Sequence, residues 1–224
     1  MPVVTLSRML GTTGDAIAEG VAQALGGRLV TKATLYAAAQ AAGISPVALA
    51  DLDGATAMSL ADRLIAAVRS MPMLPRSRGA SLLDASPLPV AHEGFLPETP
   101  TQYELDESAR LLDRVIRDLA ATGNLVIVGR AAHAILRERG DALCVQIVAP
   151  IEYRIQALAQ GENITVREAL ARIRASDRTR ADYVRRYYNI GWTDSAQFDL
   201  VLNAARLPVP VAVKLIVSAL PPAR

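Results

Sequence analysis

The sequence is short of most residues that announce a particular chemistry. It has one cysteine, Cys144, set in an apolar run, so an intrachain disulfide is excluded and a buried thiol is expected. Its two histidines, His92 and His133, lie far apart, with no cysteine or carboxylate at metal-ligand spacing, so no protein metal site is expected. There is no G-x-S-x-G elbow for a serine nucleophile and no G-x-G-x-x-G stretch for a dinucleotide. Charge is nearly balanced at a formal +2 without a long block of one sign, which argues against nucleic acid as a partner. No run of about 18 apolar residues occurs and no basic-then-apolar leader, so no membrane association and a cytoplasmic location are expected. Aromatic residues make up only 4%, and abundant alanine points to closely packed helices.

What is present suffices for a large core. Of 224 residues, 51% are hydrophobic, which fits one domain or one core with a small inserted subdomain. Val3-Val4-Thr5-Leu6 reads as a buried strand, followed by a Gly-containing turn and a helix with Ile17, Val21, Ala24 and Leu25 on one face, ended by Gly26-Gly27. Short strand character follows at Arg28–Val30, then helices over Lys32–Ala42, near Val47–Leu52 and over Ser59–Ser70. Residues 71–100 hold six of the 13 prolines and read as a flap or substrate-side insertion. A capping box at Thr101–Glu104 opens a strong helix through Leu119. Asn124–Val128 and Ala142–Ala149 are apolar enough to be buried on both faces, hence central and parallel. Helices over Ile151–Ala159 and from a Thr165/Glu168 capping box to Tyr188, a strand at Phe198–Leu202 and a helix over Val209–Ala219 complete the chain. This alternation predicts an α/β three-layer sandwich with a parallel central sheet and ligands at its carboxyl edge.

Three stretches fall on that edge. The turn Gly11-Thr12-Thr13-Gly14-Asp15 enters a helix, the layout in which backbone N–H groups and the helix dipole attract an anion. It also suits an ordinary corner with Thr12 or Thr13 as N-cap. No lysine follows Gly14, so this is not a Walker A loop. Arg130, after Gly129, faces the same crevice, and its fork suits phosphate or carboxylate, unless it is a surface residue at a helix start. The helix carrying Arg172, Arg174, Asp177, Arg178, Arg180, Asp182, Arg185 and Arg186 and ending in tyrosines is either a solvated face, with Asp182 paired to Arg178 or Arg186, or a lid that closes on phosphates.

In their order and spacing these segments resemble the cytidylate kinase-like family, a branch of the P-loop nucleoside monophosphate kinases. The resemblance rests on Thr5-Leu6-Ser7-Arg8 with Gly11-Thr12-Thr13-Gly14 and Ile17-Ala18; on Val126–Ala132; on Ala149-Pro150-Ile151-Glu152-Tyr153-Arg154-Ile155; on Asp177–Tyr183 with Tyr187-Tyr188; and on Trp192, Asp194 and Phe198–Asn203. It implies a nucleotide-kinase-like domain over 1–224, with a core from 1–44 and 101–224, a helical lid at about 165–192 and an acceptor-side insertion over 45–100. It implies ATP and Mg²⁺ as cofactors, with ATP at Ser7, Arg8, Gly11, Thr12, Thr13, Gly14 and Asp15, and a nucleotide or other small acceptor whose phosphate Arg130 holds. Arg178, Arg180 and Arg185 would neutralise charge in transfer, and Asp177 would orient one of them. The assembly is open, a homodimer included. The chain departs from the family's pattern at Thr12 and Thr13, where Ser and a second Gly are common, at Asp15, where Gly or a hydroxyl is common, and at Thr31, where Asp is usual. Two rivals therefore stand beside a phosphotransferase: a degenerate member that binds nucleotide or a protein partner without turnover, and an anion-binding regulator of another α/β type.

Overall fold

The computed structural model describes residues 2–41, 54–70 and 102–220. The elements run β1 (Val3–Arg8), α1 (Gly14–Leu25), β2 (Arg28–Val30), α2 (Lys32–Ala41), α3 (Gly54–Ser70), α4 (Gln102–Thr122), β3 (Leu125–Val128), α5 (Ala132–Leu136), β4 (Ala142–Val148), α6 (Ile151–Glu162), α7 (Val166–Tyr188), β5 (Leu200–Asn203) and α8 (Val209–Ser218). The strands form one sheet in the order β2-β3-β1-β4-β5, and every pairing is parallel. Central β1 sets Val4 between Val126 and Leu143, and Leu6 between Val128 and Val145. All six of its residues are buried, as a strand covered on both faces requires.

The period of two along the strands sorts the core into two layers. Val4, Leu6, Val126, Val128, Val145 and Ile147 pack on α1 and α8, while Val3, Val30, Leu125 and Ile127 pack on α2 to α5. Each such side chain contributes about 1.5–3 kcal/mol on burial, so the two layers hold the sheet. This is an α/β fold with a parallel central sheet and helices on both faces, in keeping with a P-loop kinase-like architecture. Among the described residues, no helix is long and apolar enough to cross a membrane.

Several boundaries differ from expectation for local reasons. In α1 the buried stripe is Gly14, Ile17, Ala18, Val21 and Ala22; Ala24 is exposed. α3 starts at Gly54, ahead of Ser59. α6 runs through Gly161 to Glu162 and stops at Asn163, which takes the left-handed conformation. β5 begins at Leu200, because a 3-10 turn at Ser195–Gln197 precedes it and Phe198 stacks on His133, ring centroids 4.7 Å apart. The capping box of Thr165 and Glu168 forms as expected, and Asn189 ends α7 in a left-handed cap. The expected helix near Val47–Leu52, the Pro-rich stretch 71–100 and Thr101 lie outside the described residues.

Candidate functional site

The loop from β1 to α1 lies at the carboxyl edge of the central strand. Gly11 has φ +80°, and a Cβ there would sit 2.5 Å from the carbonyl oxygen of Arg154, so both conformation and space demand glycine. Among the described residues Gly11 is the loop's single left-handed position, so Thr12 and Thr13 carry no such strain. Thr12 Oγ1 donates to Met9 O at 2.8 Å and accepts from Gly14 N at 3.4 Å. Thr13 takes the N-cap position of α1 but its side chain caps nothing; its Oγ1 is buried with no hydrogen-bond partner. The first intrahelical bond runs from Ile17 N to Thr13 O, so the amides of Asp15 and Ala16 precede the helix's own ladder.

Arg8 ends β1 on the side facing α1. Its stem lies under Gly14, where a Cβ would meet Arg8 Cβ at 2.7 Å. Nε donates to Asp15 Oδ1 at 2.7 Å, with 9% of the Arg8 side chain exposed against 40% of Asp15. A terminal nitrogen of Arg8 comes within 3.8 Å of the place a Gly129 Cβ would take. Ser7, one residue back, faces the other layer, where its Oγ accepts from Trp192 Nε1 at 3.1 Å; Gln146 Nε2 donates to Trp192 O at 2.8 Å.

After β3, Gly129, Arg130 and Ala131 have φ values of 72°, 57° and 52°. Three successive left-handed residues, two of them not glycine, are strained by about 1–2 kcal/mol per non-glycine residue. Gly129 N–H on Leu6 O at 3.0 Å ties this turn to β1, and Ala131 O receives the N–H groups of Ala134 and Ile135. Arg130 is half-buried, close enough to Tyr183 for its charge to oppose the desolvation that raises that phenol to about 12.

Two further helices close over the loop. Arg154, 4% exposed in the first turn of α6, donates from Nε to Leu10 O at 2.7 Å and from both terminal nitrogens to Asp177 at 2.9 and 2.7 Å. Asp177 thus receives Arg154 of α6, where the resemblance had it orient an arginine of its own helix. Arg180 lies over the Trp192 ring, 5.8 Å from its centroid, and donates to Ser176 Oγ. Arg178 and Arg185 are exposed on the opposite side of α7, and Asp182 pairs with Arg185 at 2.7 Å. Ser7, Arg8, residues 11–15, Arg130, Asp177 and Arg180 therefore come to one edge of the sheet, while Arg178 and Arg185 point away from the layer that packs there. Thr31, whose Oγ1 accepts from Thr34 N at 3.2 Å, caps α2.

The sequence model of the cytidylate kinase-like family matches residues 3–206. The chain belongs to this family. A protein named cytidylate kinase from Aeropyrum pernix is 27% identical over 143 residues, 64% of this chain and 75% of that one. Another so named, from Methanothrix thermoacetophila, is 32% identical over 97 residues, 43% of this chain and 54% of that one. Several such matches, the second included, cover little more than half of the relative's length. An uncharacterized protein from Eubacterium ventriosum, known from its crystal structure, shares the fold with a TM-score of 0.58 at 16% identity, covering 97% of each chain.

For this family member, two further residues matter at the site. Arg154 and Trp192 belong to the quoted motifs but had no role assigned to them. Arg154 left one trace in the sequence: a cation in a helix's first turn opposes the macrodipole, which calls for a specific acceptor. Trp192 left none, because its partners Ser7 and Gln146 are distant in sequence. The loop amides, the partnerless Thr13 hydroxyl and buried Arg8 fit a nucleotide's phosphates. Among the described residues no cluster of three or more His, Cys, Asp or Glu could hold a metal.

Proposed function

We propose that this protein is a phosphotransferase that moves a phosphoryl group from ATP, with Mg²⁺, to a nucleotide or another small acceptor. The observation that supports it is the meeting, at the carboxyl ends of β1, β3 and β4, of the Gly11–Asp15 loop, the Gly129–Ala131 turn and the α6–α7 pair. ATP with Mg²⁺ supplies the transferable group; the chain's residues supply position and charge. Asp15 and Ala16 present amides to the phosphates, Arg8 lies beneath the same loop, and Arg130 holds the acceptor's phosphate. Arg180, Arg178 and Arg185 are proposed to neutralise charge in transfer. Arg180 is already on the inner side of α7, whereas Arg178 and Arg185 would need the helix to turn.

A second reading, nucleotide binding without turnover, is favoured by the Arg8–Asp15 pair, which places a carboxylate beside the cradle. An ATP-consumption assay across nucleoside monophosphates and small hydroxyl acceptors separates the two. Turnover with one acceptor class supports the enzyme; a MgATP-dependent thermal shift with no consumption supports the binder. Arg130→Ala is expected to raise acceptor KM at least tenfold while changing ATP KM less than threefold, and equal effects on both would remove Arg130 from the acceptor's side.

A further inference from the structure

The loop lacks a lysine, yet a cation lies beneath it. Arg8 is nine-tenths buried at the positive end of the α1 dipole, a costly place for a guanidinium unless anions share it. Space has been made for its stem, since a Cβ at Gly14 would sit 2.7 Å from Arg8 Cβ, and its head reaches to the Gly129 turn. Its ion-pair partner Asp15 sits at the rim, four-tenths exposed, so the pair opens from the solvent side. The adjoining Thr13 Oγ1 is buried with no hydrogen-bond partner. The other charged pair at this loop, Arg154 with Asp177, is satisfied bidentately and tied to Leu10 O, so it closes the far wall.

Resting on the nucleotide reading above, we infer that Arg8 is the cation this loop presents to the phosphates in place of a loop lysine, and that Asp15 is its resident counter-ion, displaced when phosphate binds. Asp15 thereby lowers phosphate affinity through Arg8. An Asn at position 15 keeps a hydrogen-bond acceptor for Nε but removes the competing charge.

Calorimetric titration of the full chain with MgATP, inorganic tripolyphosphate and adenosine tests this, for wild type, Asp15→Asn, Arg8→Gln and the double variant. Asp15→Asn is expected to tighten MgATP and tripolyphosphate about tenfold and leave adenosine unchanged. Arg8→Gln is expected to weaken both phosphate ligands at least tenfold, and adding Asp15→Asn to it should change affinity less than threefold. Arg8→Lys, which keeps the charge, serves if the Gln variant fails to fold, and should retain part of the affinity. Asp15→Asn with unchanged or weaker MgATP binding overturns the inference while leaving the nucleotide reading intact. So does the same tenfold gain in the Arg8→Gln background, which would make Asp15 a plain repulsive charge. Absence of binding by wild type and all variants overturns both, whereas binding gained only in Asp15→Asn supports the inference.

Discussion

Glycine at position 11 is the residue on which the loop's shape turns. Its backbone is left-handed and its α-carbon faces the Arg154 carbonyl. Gly11→Ala should therefore cost about 1–2 kcal/mol for the backbone alone, plus the displacement of α6 needed to admit a methyl group. Chemical denaturation should show that loss, with MgATP affinity falling alongside it; a variant as stable as wild type would contradict the loop geometry. Gly14 is constrained differently: its φ is ordinary, and the Arg8 stem is what excludes a side chain. That distinction was not legible in the sequence. A Gly turn before a helix is visible in Gly11 to Gly14, but which glycine serves conformation and which serves space depends on Arg154 and on Arg8. Thr12 and Thr13 are β-branched and ill suited to a left-handed position, and are accommodated because that position falls on Gly11.

Among the elements, α7 was the hardest to read. β3 announced itself as an all-apolar run, as burial on both faces favours, whereas β1 opens with Val3-Val4 and then buries Thr5, Ser7 and Arg8 among its apolar residues. α7 carries arginine on every side, so its pattern does not say which face turns inward. The structure resolves it: Ile173, Ser176, Asp177, Arg180 and Val184 form the inner stripe, with Tyr183 and Tyr188 beside it. Its middle is held through Asp177 on Arg154, and its C-terminal end meets α4, where Tyr187 Oη donates to Asp106 Oδ1 at 3.1 Å. Because Arg154 joins the loop's Leu10 carbonyl to Asp177, loop and helix are coupled. Asp177→Asn should weaken that link, raising ATP KM severalfold and lowering thermal stability, and Asp177→Glu should restore part of both. An unchanged ATP KM would show that Arg154 holds the loop without α7. The Pro-rich stretch 71–100, read from composition as an acceptor-side flap, lies outside the described residues.

At the scale of the whole molecule, one buried ring contributes a pH dependence to stability. His133 is 3% exposed, its Nε2 has no partner, and desolvation lowers its pKa from 6.5 to about 4. The unfolded chain binds the proton first, so this contribution is complete above pH 6.5 and is lost progressively as pH falls towards 4. The loss is about 3 kcal/mol in all. Urea unfolding at pH 7.5, 5.5 and 4.5 should show it, and His133→Phe should flatten that part of the profile; an identical slope in the variant would place the titration elsewhere. The same molecule-wide view carries the functional claim, since only the sheet order brings the ends of β1, β3 and β4 together. A crystal structure with a non-hydrolysable MgATP analogue tests that claim most directly. The account predicts terminal phosphates against the amides of Asp15 and Ala16, with Arg8 in hydrogen-bonding contact and Asp15 turned outward. An analogue bound elsewhere on the protein, or phosphates remote from this loop with Arg8 still on Asp15, would contradict it.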